Sequence, residues 1–165
     1  MSIELIVLDV DGTMTDSRIT YSESGDEIKA FNVKDGLAIV SWMKLGKNVA
    51  IITGRSSKIV ERRAKELRIE HFYQGCDDKL TKLKELVKKL DIKMENVAVI
   101  GDDLNDYQML KAAEISFVPR DASSYVDKIA SVVLTRKGGN GAVREMIEYL
   151  VKKERLEKKF LNLWR

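Results

Sequence analysis

Ile3-Glu4-Leu5-Ile6-Val7-Leu8-Asp9-Val10-Asp11-Gly12-Thr13 runs an apolar stretch straight into two carboxylates and a glycine. Ile3–Leu8 is apolar at nearly every position, as a strand covered on both faces is. Residues two apart in an extended chain point the same way, so Asp9 and Asp11 share one site where the strand leaves its sheet. Gly12 permits the sharp departure. Two neighbouring carboxylates repel unless a cation joins them or one takes a proton. Either arrangement suits chemistry at phosphorus, one carboxylate attacking while the other handles a proton. A bare Asp-x-Asp also fits a solvated turn capped by aspartates; the apolar strand before it and Gly-Thr after it argue against that.

Outward from this stretch, short β-branched runs alternate with segments of helical period. Val49–Ile52, His71–Tyr73, Val97–Ile100, Ile115–Val118 and Val132–Leu134 read as further strands. Gly36–Leu45, Lys58–Leu67, Lys79–Leu90, Asp106–Ala112 and Tyr125–Ala130 read as helices. This alternation implies right-handed βαβ units and a doubly wound parallel α/β sheet, Rossmann-like in architecture. Ligands of such sheets bind beyond the carboxyl ends of the strands. One segment departs from the pattern: Arg18–Tyr21 and Glu27–Phe31 flank Ser22–Asp26 as a β-hairpin, an insertion over about residues 17–31. Ala142–Trp164 reads as one amphipathic helix with Val143, Met146, Ile147 and Leu150 on its apolar face.

Three more strand ends carry polar chemistry. Gly101-Asp102-Asp103 follows Val97–Ile100 and offers oxygen ligands of the kind magnesium prefers, although a capped helix start has the same composition. Thr53-Gly54-Arg55-Ser56-Ser57 follows Val49–Ile52, where a hydroxyl, a glycine and a helix start make an anion site or a plain Ser/Thr cap. Lys79 opens a helix, an unfavourable place for a cation unless an anion lies near; Asp77 and Asp78 are the trivial suppliers. Together these give a nucleophile, a metal site, oxyanion donors and a balancing cation, the parts of phosphoryl transfer.

The bulk properties narrow the class. The 165 residues fit one domain, 1–165, with 44% hydrophobic and 33% charged residues. A net charge of +3, with both signs interleaved, lacks the basic stripe of a nucleic-acid binder. The single cysteine, Cys76, has no partner for a disulfide and points to a reducing compartment. The apolar run Leu5–Leu8 is too short for a membrane and Glu4 is wrong for a signal peptide, so a cytoplasmic location is expected.

The motifs resemble those of the haloacid dehalogenase superfamily of phosphohydrolases: Asp9–Thr13 its first, Thr53 its second, Lys79 its third and Gly101-Asp102-Asp103 its fourth. The short distance from Asp11 to Thr53 leaves room for the hairpin but no cap domain, which is similar to the capless branch and its phosphatases of 3-deoxy-D-manno-octulosonate 8-phosphate (KDO 8-phosphate). Asn32-Val33-Lys34-Asp35-Gly36, Arg55 with Arg63, and the glycine-rich 137–145 segment resemble that subfamily, with Val40 where many members carry arginine.

The resemblance implies Asp9 as nucleophile and Asp11 as proton donor and acceptor. It implies Mg2+ on Asp9, Asp11 (by its carbonyl) and Asp102, and phosphate on Thr53, Gly54 and Lys79. The substrate would meet Asp11, Asn32, Val33, Lys34, Asp35, Gly36, Arg55, Arg63 and Lys79. The implied reaction is KDO 8-phosphate hydrolysis in lipopolysaccharide precursor synthesis, by a homotetramer with active sites at its interfaces. Relatives acting on nine-carbon sugar acid phosphates tend to carry glutamate at Arg55, which favours the eight-carbon substrate; a nine-carbon or broader sugar phosphatase is the alternative. Receiver domains also combine aspartates, threonine and lysine, but they lack a proton-handling residue two positions after the nucleophile.

Overall fold

The computed structural model describes residues 2–165. Six strands form one parallel sheet: β1 (Leu5–Leu8), β4 (Asn48–Ile52), β5 (His71–Tyr73), β6 (Val97–Ile100), β7 (Ile115–Val118) and β8 (Val132–Val133), in the order β5-β4-β1-β6-β7-β8. The order reverses beside β1, so the switch point lies at the centre of the sheet. Leu8 stands opposite both Ile51 and Ile100, so the three central strands end at nearly one level.

Period-two alternation sorts the strand side chains into two buried layers. Ile6, Leu8, Ile51 and Ile100 face α1 (Val33–Lys44), α2 (Lys58–Glu66) and α6 (Ala142–Lys153). Leu5, Val7, Ile52 and Val99 face α3 (Lys79–Lys89), α4 (Tyr107–Ala112) and α5 (Ser124–Asp127). The hairpin pairs β2 (Thr20–Tyr21) with β3 (Glu27–Ile28), shorter than the flanks read from sequence because only two residue pairs keep register.

The C-terminal segment corrects one expectation. It is two helices, α6 and α7 (Glu157–Asn162), not one. Arg155 takes a left-handed φ of 57°, while Leu156 N–H bonds back to Val151 O at 2.8 Å, closing α6 with the chain reversal of a capped end. The turn lets α7 fold back: Phe160 is buried, and Trp164 donates to Ser41 Oγ at 3.1 Å under the Lys44 ammonium. Glu154, at the turn, is held by Lys47 Nζ at 2.8 Å.

Helix ends place α1 and α6 against each other. Asn32 caps α1 by accepting from Lys34 N–H at 2.8 Å, and Asp35 reaches across to accept from Arg144 N–H of α6, also at 2.8 Å. The glycine-rich segment serves packing: a Cβ on Gly138 would lie 1.8 Å from the Gly12 carbonyl oxygen, and Gly139 N–H bonds to Thr13 O at 3.0 Å. It braces the Asp9–Thr15 turn from behind.

Candidate active site

Asp9 follows β1 directly, its N–H bonded to Ile100 O at 3.0 Å, and its side chain is buried. Thr53 follows β4, buried, with its N–H on Tyr73 O at 3.0 Å and its carbonyl accepting from Cys76 N–H. Gly101 and Asp102 follow β6. The strand register therefore gathers three sequence-distant motifs at one end of the sheet, where the α/β rule places ligands.

Lys79 joins them from the first turn of α3. Its Nζ donates to Asp9 Oδ1 and Asp106 Oδ1, each at 2.6 Å, and it is 2% exposed. The anion that draws this lysine is thus not Asp77 or Asp78; Asp78 caps α3, accepting from Thr81 N–H at 3.0 Å. Asp106 is fully buried, and its second oxygen accepts the N–H groups of Asp102 and Asp103 at 2.9 and 3.3 Å. It locks the Gly101–Asp103 turn to Lys79. Two glycines allow the close fit: a Cβ on Gly12 would meet Asp102 Oδ2 at 2.0 Å, and one on Gly101 would meet Asp106 Cγ at 2.5 Å.

The electrostatics favour a cation. Asp9, Asp102 and Asp106 bring carboxylate oxygens within 4.8 Å of one another. Burial first, and then the Asp106 charge, push the Asp9 carboxyl up to about 7 although Lys79 pulls it down. Burial and the charges of Asp9 and Asp106 push Asp102 up to about 8. Three carboxylates face one ammonium, a deficit that a divalent cation meets. Hard oxygen donors fit magnesium. Asp106 already has both oxygens engaged, so Asp9 and Asp102 are the side chains with capacity to hold the ion.

Asp11 is only partly buried and lies under the hairpin. Lys29 Nζ, which the motif reading did not single out, stands 2.5 Å from Asp11 Oδ1 and 3.1 Å from Glu27 Oε1. Burial works to raise the Glu27 carboxyl, but the Lys29 ammonium and the Arg55 charge outweigh it and hold it below the ordinary range. The signal for Lys29 was the spacing of Glu27 and Lys29, which puts two charges on the inward side of the hairpin.

The substrate-contact candidates divide. Arg55 lies in the loop before α2, half exposed, 3.4 Å from Tyr21 Oη and 3.8 Å from Glu27. Arg63 lies within α2, packed over Phe31 and against Gly36. Arg55 precedes α2, which starts at Lys58, whereas Arg63 lies inside it, so the two arginines share no helical face. Gly54 sits beside Asn105, whose Nδ2 lies 3.5 Å from the Cβ position of that glycine. Asn32, Val33 and Lys34 line a cleft of about 960 Å³ with Arg136 and Arg144, and none of the carboxylate cluster lines it. Asp35 and Gly36 are buried beneath α6 and α2, and burial pushes the Asp35 carboxyl up to about 6, against the opposing Arg144 and Gly141 amides. Cys76 is half-buried, with its thiol raised by that burial.

Comparison with known proteins supports the same reading. The family model of haloacid dehalogenase-like hydrolases matches residues 72–147. The 3-deoxy-D-manno-octulosonate 8-phosphate phosphatase KdsC of Escherichia coli K12 is 43% identical over 150 residues, 91% of this chain and 80% of that protein. The 3-deoxy-D-manno-octulosonate 8-phosphate phosphatase of Moraxella catarrhalis, crystallised with magnesium ion, phosphate ion and KDO, superposes with a TM-score of 0.95 at 42% identity, covering 99% of this chain and 94% of that one. The cobalt-bound deoxy-D-mannose-octulosonate 8-phosphate phosphatase of Haemophilus influenzae gives 0.88 at 38% identity, over 92% and 88% of the two chains. By its strand-end carboxylates, its fold and these likenesses, the chain belongs to the haloacid dehalogenase-like hydrolases, in the family of the KdsC phosphatases.

Proposed function

We propose that this protein is a magnesium-dependent phosphatase that hydrolyses KDO 8-phosphate to KDO and inorganic phosphate. The observation that carries this is the buried Asp9 at the end of β1, held by Lys79 at 2.6 Å beside Asp102 and Asp106. Lys79 occupies Oδ1 of Asp9 and leaves Oδ2 to attack phosphorus in line. As the Asp9–phosphorus bond forms and the bond to the sugar oxygen breaks, Asp11 donates a proton to that departing oxygen. Asp11 then takes a proton from the water that cleaves the aspartyl-phosphate, which restores Asp9. Thr53 and Gly54 donate hydrogen bonds to the transferring oxygens, and Lys79 balances their charge. Asp9, Asp102 and the Asp11 carbonyl would hold magnesium, which would keep both carboxylates ionised and offset the charge of the phosphoryl group.

Arg55 stands by the hairpin, exposed enough to meet a sugar acid carboxylate. Asn32, Val33 and Lys34 line a cleft that can meet substrate across a subunit boundary; Asp35, Gly36 and Arg63, expected among the contacts, lie packed behind that stretch and act by holding it in place. The protein acts as a cytoplasmic homotetramer, with neighbours covering the site in place of a cap. No helix among the described residues is long and apolar enough to cross a membrane. Phosphate release measured across KDO 8-phosphate, nine-carbon sugar acid phosphates and hexose phosphates, with and without chelator, tests the reading. KDO 8-phosphate should give the highest kcat/KM, abolished by chelator. A higher value for a nine-carbon substrate would reassign the sugar, and undiminished release in chelator would remove the metal.

A further inference from the structure

Lys29 belongs to a short, solvent-facing hairpin, yet its side chain has no exposed surface. Its neighbour Ile28 is 53% exposed. The hairpin therefore turns two charged residues, Glu27 and Lys29, inward and an isoleucine outward, the reverse of what apolar burial favours. An inward ammonium is unfavourable unless paired, and here Asp11 at 2.5 Å and Glu27 at 3.1 Å pair it. Among the described residues Asp11 makes no other side-chain hydrogen bond, so Lys29 alone immobilises Oδ1 and leaves Oδ2 unengaged. Glu27 passes the connection on to Arg55 at 3.8 Å, so alternating charges tie hairpin, strand-end loop and Asp11 together.

We propose that Lys29 is a positioning residue for Asp11, holding one carboxylate oxygen so that the other stays on the line of proton transfer. The inference rests on the proton-handling role of Asp11 given above. An aspartate without this tether turns among its rotamers, and a displacement of about 1 Å at a reacting group costs up to about a hundredfold in rate. Proton transfer requires heavy atoms within about 3 Å, so the loss falls on steps that move a proton.

First-turnover rates with two esters separate this role from a structural one. The sugar oxygen of KDO 8-phosphate needs a proton to leave, whereas 2,4-dinitrophenol leaves as a stable anion. Lys29→Met keeps the length and removes the charge. It should slow the first turnover of KDO 8-phosphate about 10- to 100-fold while leaving the dinitrophenol burst within about threefold of the wild type. KM should change little for either ester, and Lys29→Arg should recover most of the rate. Equal losses on both esters, or no loss on either, would overturn the proposal. Thermal melts accompany each variant. If Lys29→Met melts below the assay temperature, Lys29→Leu, which also lacks a donor, is judged on the same two esters. Asp11→Asn in the same assay isolates the parent reading. Equal losses there would overturn the role of Asp11 itself, whereas a selective loss there with equal losses in Lys29→Met would overturn only Lys29.

Discussion

Lys79 neutralises two buried carboxylates from a position where the α3 dipole opposes a cation. Replacing it with methionine leaves Asp9 and Asp106 facing each other without a counter-charge. Breaking a buried pair in this way costs about 3–5 kcal/mol, so urea unfolding of metal-free Lys79→Met should show a loss of that order, along with lost turnover. The carboxylates make a second, ion-specific prediction. Without a cation, the Asp9 and Asp102 carboxyls sit up at about 7 and about 8, so near neutral pH they hold protons that an ordinary carboxyl has already lost. Magnesium binds the ionised forms and must displace those protons. Calorimetric titration at pH 7 should therefore give binding heats that scale with buffer ionisation enthalpy. The apparent affinity should rise with pH through about 8 and level off about one unit higher, where the buffer dependence should vanish. Heats independent of buffer at pH 7 would count against this account of the site.

At the scale of elements, the junction of α1 and α6 is joined by one buried carboxylate. Asp35 caps α6 through the Arg144 amide, and its other oxygen is buried without a partner. Its carboxyl rises from 3.8 to about 6, chiefly through burial. A carboxyl raised on folding holds its proton more tightly in the folded chain, so its contribution to stability declines as pH rises from about 4 to about 6 and is level above. Asp35→Asn keeps an acceptor for the cap without the charge. Relative to wild type, the variant should gain stability across that window, by about 3 kcal/mol at most. Chemical denaturation at pH 4 and pH 7.5 checks this, and a difference that does not change between the two would show that Asp35 is not the titrating group.

At the scale of the whole molecule, the sheet delivers the site but leaves it open. The hairpin is the only insertion between β1 and α1, and it exposes Tyr21 and Ile28 by more than half. An aspartyl-phosphate needs protection from water until Asp11 is placed to activate it, and symmetric neighbours are the economical source. Under the proposed homotetramer, which rests on the family resemblance, sedimentation at assay concentration should find a tetramer. Deleting Tyr21–Ile28 should dissociate it and lower activity on the sugar phosphate. A fully active monomer would rule out shared active sites.

Much of this was legible in the chain itself. The six sheet strands and their alternating helices follow from apolar periodicity, a local property that neighbouring residues set. Asp9, Thr53 and Asp102 stand at the ends of β-branched runs, so the parallel-sheet rule alone predicted that they would meet. Other features depended on residues far apart in sequence. Lys79 turned to Asp9 and Asp106, 70 and 27 positions away, instead of to its adjacent aspartates. Gly138 was committed to the back of the Gly12 turn, Asp35 to a second helix, and Lys29 to Asp11. The C-terminal apolar period continued through Phe160, yet the chain reversed at Arg155, burying Phe160 and bringing Trp164 to Ser41 of α1. A sequence pattern states which face of an element is apolar. Which distant charge fills a buried site, and which glycine admits a neighbouring backbone, is decided only when packing brings those groups within a few ångströms and desolvation makes every unpaired one costly.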